Sequence, residues 1–211
     1  MPNLLHRLMK RTPLFPAWKR LGHYPDYLYW KMRGEPIRSP HLLKQRTVVE
    51  YGKRFGARTL IETGTYIGEM VAATRRSFQR IYTIELDAAL AAAARRRFAR
   101  YPHIHVVQGD SQVAIPELLK NMDEPCIFWM DAGYYGWDNF MGNPNRLTAE
   151  LEAILNHRVK GHVVLMDDAR KMNGTHGAPP LALFIESVRQ NHPDRQVEVQ
   201  RDIIRITPKR S

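Results

Sequence analysis

Residues 59–69 read TLIETGTYIGE, and no other stretch constrains the fold of this chain so tightly. The apolar run Thr59-Leu60-Ile61 leads to an acidic residue, Glu62, and the chain then turns through Gly64 and Gly68. Met70, Val71, Ala72, Ala73 and Phe78 follow in a helical pattern. A strand, a tight glycine loop and a helix in that order form the opening unit of a doubly wound α/β domain. Gly64 leaves room for a ligand against the backbone or for a positive φ, and Gly68 permits close packing at the helix start. The loop N–H groups and the helix N-terminus favour a carboxylate or polar edge. Glu62 would accept hydrogen bonds from a cationic or hydroxyl-bearing ligand. Taken alone, an ordinary βα turn with two glycines reads the same way, so the rest of the chain must decide.

The same alternation continues. Ser39-Pro40 offers a cap and a first-turn proline for a helix carrying Leu42, Leu43, Val48, Val49 and Tyr51 to about Gly56. A second strand spans 80–86, and Asp87 caps an alanine-rich helix reaching about Arg100. His103 to Val107 is a third strand, closed by Gly109, with Asp110 or Ser111 capping the next helix. PCIFWMD at 125–131 is a fourth and buried strand, in which Trp129 is core. The loop over 132–146 is longer than most α/β connections, as lids and binding loops tend to be. Thr148 caps a helix to about Asn156, HVVLMDD at 162–168 is the fifth strand, and a second glycine-containing loop precedes a helix from Leu181. QVEVQ and DIIRIT then pair as a terminal hairpin. The expected architecture is α/β, a doubly wound, mostly parallel seven-stranded sheet over residues 39–211 with a C-terminal antiparallel hairpin.

Residues 1–38 form a basic, aromatic N-terminal arm, in which Leu4, Leu5, Leu8 and Met9 suit a short amphipathic helix while Pro13, Pro16 and Pro25 preclude a long one. Charge is concentrated at this end: residues 1–56 hold 12 Lys/Arg against 3 Asp/Glu, and the remainder 20 against 18. Such an arm suits nucleic acid, an anionic membrane surface or a phosphorylated substrate, or is simply solvated. An aromatic-rich arm also leaves a homo-oligomer open. Cys126 is the single cysteine, which excludes an intrachain disulfide and points to a reducing compartment; it lies in an apolar run and reads as inert core. No apolar run reaches membrane-spanning length, and the expected localisation is cytoplasmic.

Glu62, Glu85, Asp131 and Asp167 each fall at the carboxyl end of a strand, and Asp110 follows the third. In a parallel sheet those ends share one edge, where doubly wound folds bind ligands. Helix capping accounts for one such acid more readily than for five. On these residues the chain resembles the class I S-adenosylmethionine (SAM)-dependent methyltransferases over about residues 40–207. ETGTYIGE resembles that family's first motif, TIELD at 83–87 its second-strand motif and VVQGDS at 106–111 the segment flanking the adenine. The resemblance is closest to the catechol and macrocin O-methyltransferase-like branches. It implies Glu62, Gly64, Tyr66 and Gly68 around the methionine and loop, Glu85 at the ribose, and Asp110 and Ser111 near the adenine. A nicotinamide-binding protein is the main rival, but its fingerprint spaces glycines at the first, third and sixth positions, and here two glycines stand four apart.

FWMDAG and VLMDDAR resemble the two places at which the metal-dependent branches hold their cation, which implies Mg²⁺ or another divalent ion on Asp131, Asp167 and Asp168. Adjacent strands about 4.8 Å apart bring such side chains together, and Mg²⁺ favours oxygen ligands. Without a metal, Asp131 would act as a general base and Asp167 would serve an arginine or a helix. The catechol-type enzymes place a lysine base shortly after the first metal acid, whereas this chain reads Asp131-Ala-Gly-Tyr-Tyr-Gly-Trp. The candidate bases are therefore Asp131, Tyr134, Tyr135 and His176. Arg170 would meet an acidic substrate or neutralise Asp168, Trp137 and Phe140 would line an acceptor pocket or pack in the core, and His157 and His162 are expected to be solvent-exposed. The expected reaction is methyl transfer to a hydroxyl of a small molecule, such as a sugar, glycoside or natural product. Two alternatives remain open: a nucleic-acid methyltransferase clamped by the basic arm, with no Asn/Asp-Pro-Pro-Tyr type of run to support it, and a non-catalytic methyltransferase-like binding subunit.

Overall fold

The computed structural model describes residues 15–36, 38–131, 146–175 and 178–209. Tyr134, Tyr135, Trp137, Phe140 and His176, together with the apolar residues before Phe15, lie outside them. In chain order the elements are α1 (Phe15–Met32), α2 (His41–Arg54), β1 (Thr59–Thr63), α3 (Glu69–Thr74), β2 (Arg80–Glu85), α4 (Ala88–Phe98), β3 (Ile104–Gln108) and α5 (Ser111–Leu119). There follow β4 (Cys126–Met130), α6 (Arg146–Leu155), β5 (Val163–Met166), α7 (Leu181–Asn191), β6 (Arg195–Gln200) and β7 (Ile203–Pro208).

The seven strands form one sheet in the order β3-β2-β1-β4-β5-β7-β6. The first five are parallel, and β7 runs antiparallel to both β5 and β6. The doubly wound sheet with its terminal hairpin is therefore the fold expected from the sequence. The central strands β1, β4 and β5 are buried along their whole length, which is why they read as continuous apolar runs and not as alternating ones. Successive side chains still point to opposite faces. Ile61, Phe128 and Met130 pack with Ile115 of α5, Leu155 of α6 and Phe184 of α7. Leu60, Ile127 and Trp129 pack on the other face with Val48 of α2, Val71 of α3 and Phe98 of α4.

Several local expectations change. Ser39 does not cap α2, whose preceding residue is Pro40; the Ser39 hydroxyl donates instead to the Arg201 carbonyl in the β6–β7 turn. Helix α6 already starts at Arg146, so Thr148 lies inside its first turn. Helix α1 runs 18 residues with Pro25 inside it, against the expectation that prolines would keep it short. Pro16 falls in its first turn, where an N–H has no intrahelical partner to lose. Pro25 costs about 3 kcal/mol of helix stability, and tertiary contacts offset that cost. Trp30 is buried and donates through Nε1 to the Pro36 carbonyl at 2.7 Å, and His23 lies 3.2 Å from Glu69 at the start of α3. His162 is fully buried, not exposed: its Nδ1 accepts from the Cys126 N–H at 3.1 Å and its Nε2 meets His157 at 2.8 Å. With Nδ1 an acceptor, the His162 proton sits on Nε2 and points at His157. Cys126 is itself fully buried, and burial lifts its thiol to about 12.

Candidate functional site

Strand register brings the acids together. Thr63 pairs with Met130 and also with Ile84, and Met130 pairs with Met166. Asp131 and Asp167 thus leave the sheet side by side, one residue beyond those pairs. Their N–H groups continue the ladder to the Thr63 and Met130 carbonyls, at 3.3 and 3.0 Å. Strand order reverses between β1 and β4, because β1 connects onward to β2 on one side while β4 starts the progression on the other. At such a switch point two loops diverge and leave a crevice for a ligand.

On the β1–β2 side the glycine loop is held in a tight, partly left-handed path. Gly64, Tyr66 and Gly68 have φ of 83°, 49° and 72°. A Cβ on Gly68 would come within 2.6 Å of the Phe98 ring, so close packing at the helix start does require glycine there. Glu85 organises the loop. Its Oε2 accepts from the Tyr66 N–H at 2.7 Å and its Oε1 from the Asp87 N–H at 3.0 Å. A carboxylate offers about four lone-pair sites, so Glu85 retains capacity for a ligand hydroxyl. Asp87 caps α4 through Leu90, as its position suggested.

Glu62 lies beneath the loop, 2% exposed. The Thr83 hydroxyl donates to it at 2.7 Å, and the Thr65 and Thr83 hydroxyls are 2.6 Å apart. Burial pushes the Glu62 carboxyl up to about 8; Asp131 and Glu85 push the same way, and the Thr83 hydrogen bond opposes them. Two polar atoms beside this region, Thr63 Oγ1 and Gln112 Nε2, are buried with no hydrogen-bond partner among the described residues. Asp110 is the cap of α5 and accepts from the Gln112 N–H at 3.0 Å. The Ser111 hydroxyl donates to the buried Glu150 of α6.

On the β4–β5 side, Asp131, Asp167 and Asp168 each place a carboxylate oxygen within 4.8 Å of the others. Burial, reinforced by Asp167, lifts Asp131 to about 7. Asp168 has a left-handed backbone, φ 60°, that turns its N–H onto Asp167 Oδ1 at 2.8 Å. Although burial raises the Asp168 carboxyl, Lys171 at 2.5 Å and Arg170 at 2.6 Å hold it below the usual range. Arg170 also pairs with the buried Asp202, so the β6–β7 turn braces this corner. Arg170 does neutralise Asp168.

Lys44 is the residue that sequence reasoning missed. It comes from α2, is 7% exposed, and its ammonium forms a short ion pair with Asp167 Oδ2. The signal was present: Lys44 lies in phase with Thr47, Val48 and Tyr51, on the stripe by which α2 is buried.

No protein family's model matches the chain, and neither does any curated protein. Solved structures of similar fold do. One is an O-methyltransferase from Bacillus cereus in complex with SAH, 16% identical, covering 89% of this chain and 91% of that one with a TM-score of 0.58. Another is the O-methyltransferase TomG from Streptomyces achromogenes, involved in tomaymycin synthesis and solved with SAM, at 17% identity, 88% and 87% coverage and a TM-score of 0.59. The SAH-bound methyltransferase PaMTH1 of Podospora anserina is 15% identical, with 87% and 86% coverage and a TM-score of 0.58. The chain has the fold of these methyltransferases along most of its length.

Proposed function

We propose that this protein transfers the methyl group of SAM to a hydroxyl of a small molecule, a sugar, glycoside or natural product. The observation that carries the reading is the pair Glu62, buried, and Asp131, half-buried, two carboxyls at the switch point with no basic side chain bonded to either among the described residues. A doubly wound fold has no structural need for two such groups at its ligand edge. SAM brings a sulfonium and an ammonium that would supply the missing positive charge.

In this reading Glu62, Gly64, Tyr66 and Gly68 receive the methionine end and the loop-facing edge of the cofactor. Glu85 takes the ribose hydroxyls, and Asp110 and Ser111 flank the adenine. Thr63 Oγ1 and Gln112 Nε2 are polar atoms left for a ligand to satisfy. The transfer breaks the S–CH₃ bond and forms the O–CH₃ bond, and the acceptor hydroxyl gives up its proton. Holding acceptor oxygen and methyl in line supplies much of the rate. Asp131, lifted to about 7, is suited to receive that proton at a carboxylate oxygen. Tyr134 and His176 are the other proposed bases.

Asp131, Asp167 and Asp168 would hold a divalent cation such as Mg²⁺, since three converging carboxylates match a hard ion and the Lys44 ammonium already stands at one of them. A bound metal would lower the cost of ionising the acceptor. The test is calorimetric titration of SAM into the purified protein, with Mg²⁺ and again with a chelator. Saturable binding in both is expected, and failure to bind in both conditions would remove the methyltransferase reading.

A further inference from the structure

We infer that Lys44 is a built-in competitor for the cation at the aspartate cluster: its ammonium holds the site until a divalent ion displaces it, and so sets the site's metal affinity. The inference rests on the proposed use of Asp131, Asp167 and Asp168 as a cation site.

Both oxygens of Asp167 are engaged, Oδ1 by the Asp168 N–H at 2.8 Å and Oδ2 by Lys44. The pair is buried, with side-chain exposures of 9% for Lys44 and 2% for Asp167. An ammonium at so buried a place needs a carboxylate opposite it, and Asp167 supplies one. The ammonium also lies close enough to all three aspartates to favour their ionised forms. It therefore stands where the combined field of the three carboxylates is felt, as a bound cation would. A divalent ion on the same oxygens would sit within a few ångströms of the ammonium, and two such charges repel strongly at the effective dielectric of a protein site. Metal entry then requires the flexible Lys44 stem to swing its head away from Asp167. Asp168 has ion-pair partners of its own, Arg170 and Lys171, which are about a third exposed.

The test is Mn²⁺ binding, read from the loss of the free-ion electron paramagnetic resonance signal, in the parent and in Lys44→Met, Lys44→Arg and Asp167→Asn proteins. Lys44→Met keeps the stem and removes the charge. It is expected to bind Mn²⁺ about 100-fold more tightly than the parent, a conservative reading of one like charge removed at contact range. Lys44→Arg should stay within a few-fold of the parent, and Asp167→Asn should bind weakly. Circular dichroism melts establish that each variant is folded, and Lys44→Gln takes the place of Lys44→Met if the latter is not. A folded, uncharged variant that binds Mn²⁺ no more tightly than a parent that does bind it would overturn the role of Lys44 alone. Failure of parent and Lys44→Met alike to bind Mn²⁺ would overturn the cation site itself, and the inference with it.

Discussion

Replacing Glu62 by glutamine is expected to stabilise the ligand-free protein at alkaline pH while weakening its hold on SAM. Glu62 is 2% exposed and accepts one hydroxyl hydrogen bond, which a glutamine oxygen can also accept. Its carboxyl is raised from 4.5 to about 8, first by burial and then by Asp131 and Glu85. The folded state therefore binds the proton more tightly than the unfolded chain does. Below pH 4.5 both states are protonated and the carboxyl exerts no penalty. Between 4.5 and about 8 the unfolded chain has released its proton and the folded one has not, so stability falls as pH rises and levels off above 8. At ~1.4 kcal/mol per pH unit the whole window is worth on the order of 4–5 kcal/mol. Glutamine has nothing to ionise and lacks this slope.

Thermal melts without SAM, on parent and Glu62→Gln at intervals from pH 5 to pH 8.5, measure the difference. For a chain of this size each kcal/mol moves Tm by roughly 2–4 °C. The variant's advantage should therefore grow by about 10 °C across the range. A gap between the two proteins that stays constant with pH would refute the reasoning, because it would mean that Glu62 is already ionised in the folded state. The same logic gives SAM binding by the parent a proton release, hence an affinity that rises with pH towards about 8. The variant should lose the part of this rise that lies between about pH 7 and pH 8, and keep only what Asp131 contributes below it.

Two further substitutions test the loop. Glu85→Ala removes the acceptor of the Tyr66 and Asp87 N–H groups; SAM affinity should fall roughly 10- to 100-fold by calorimetry, and an unchanged affinity would dismiss Glu85 as a cofactor residue. Gly68→Ala forces a left-handed alanine against the Phe98 ring; the cost should be about 2–4 kcal/mol, and a Tm within a degree of the parent would show that the loop adapts freely.

How much of this was legible in the sequence depended on whether the interaction was local. β1, β4 and β5 were readable because strands buried on both faces leave uninterrupted apolar runs, as in CIFWM and VVLM. Asp87 as a cap was readable because a cap acts three residues away, here on Leu90. Thr148 and Ser39 mark the boundary of that approach: each has cap chemistry, but α6 begins earlier and the Ser39 hydroxyl serves a carbonyl 162 residues away. Local propensity likewise underestimated α1, whose Pro25 is tolerated because Trp30 and His23 fasten the helix. At the site, the strand-end acids were visible one by one. Of their counter-ions, Arg170 was legible because it stands two residues from Asp168, whereas Lys44 was not, since it reaches Asp167 across 123 residues.

The site divides electrically along the switch point, and the two halves solve the same problem differently. Converging carboxylates in a buried site cannot all be ionised without compensation, because like charges at short range in a poorly solvated space raise one another's pKa. On the β5 side, side chains compensate: Lys44 for Asp167, and Arg170 with Lys171 for Asp168. Glu62, on the β1 side, has no such partner among the described residues and instead holds its proton to about pH 8; Asp131 stands between the halves, raised to about 7 by burial and Asp167 against the pull of Lys44. A cationic ligand entering the first half displaces an ammonium, and one entering the second displaces a proton. Each binding event then exchanges positive charge for positive charge. That exchange makes occupancy of the aspartate cluster sensitive to Lys44, and makes affinity on the cofactor side sensitive to pH up to about 8, where Glu62 releases its proton.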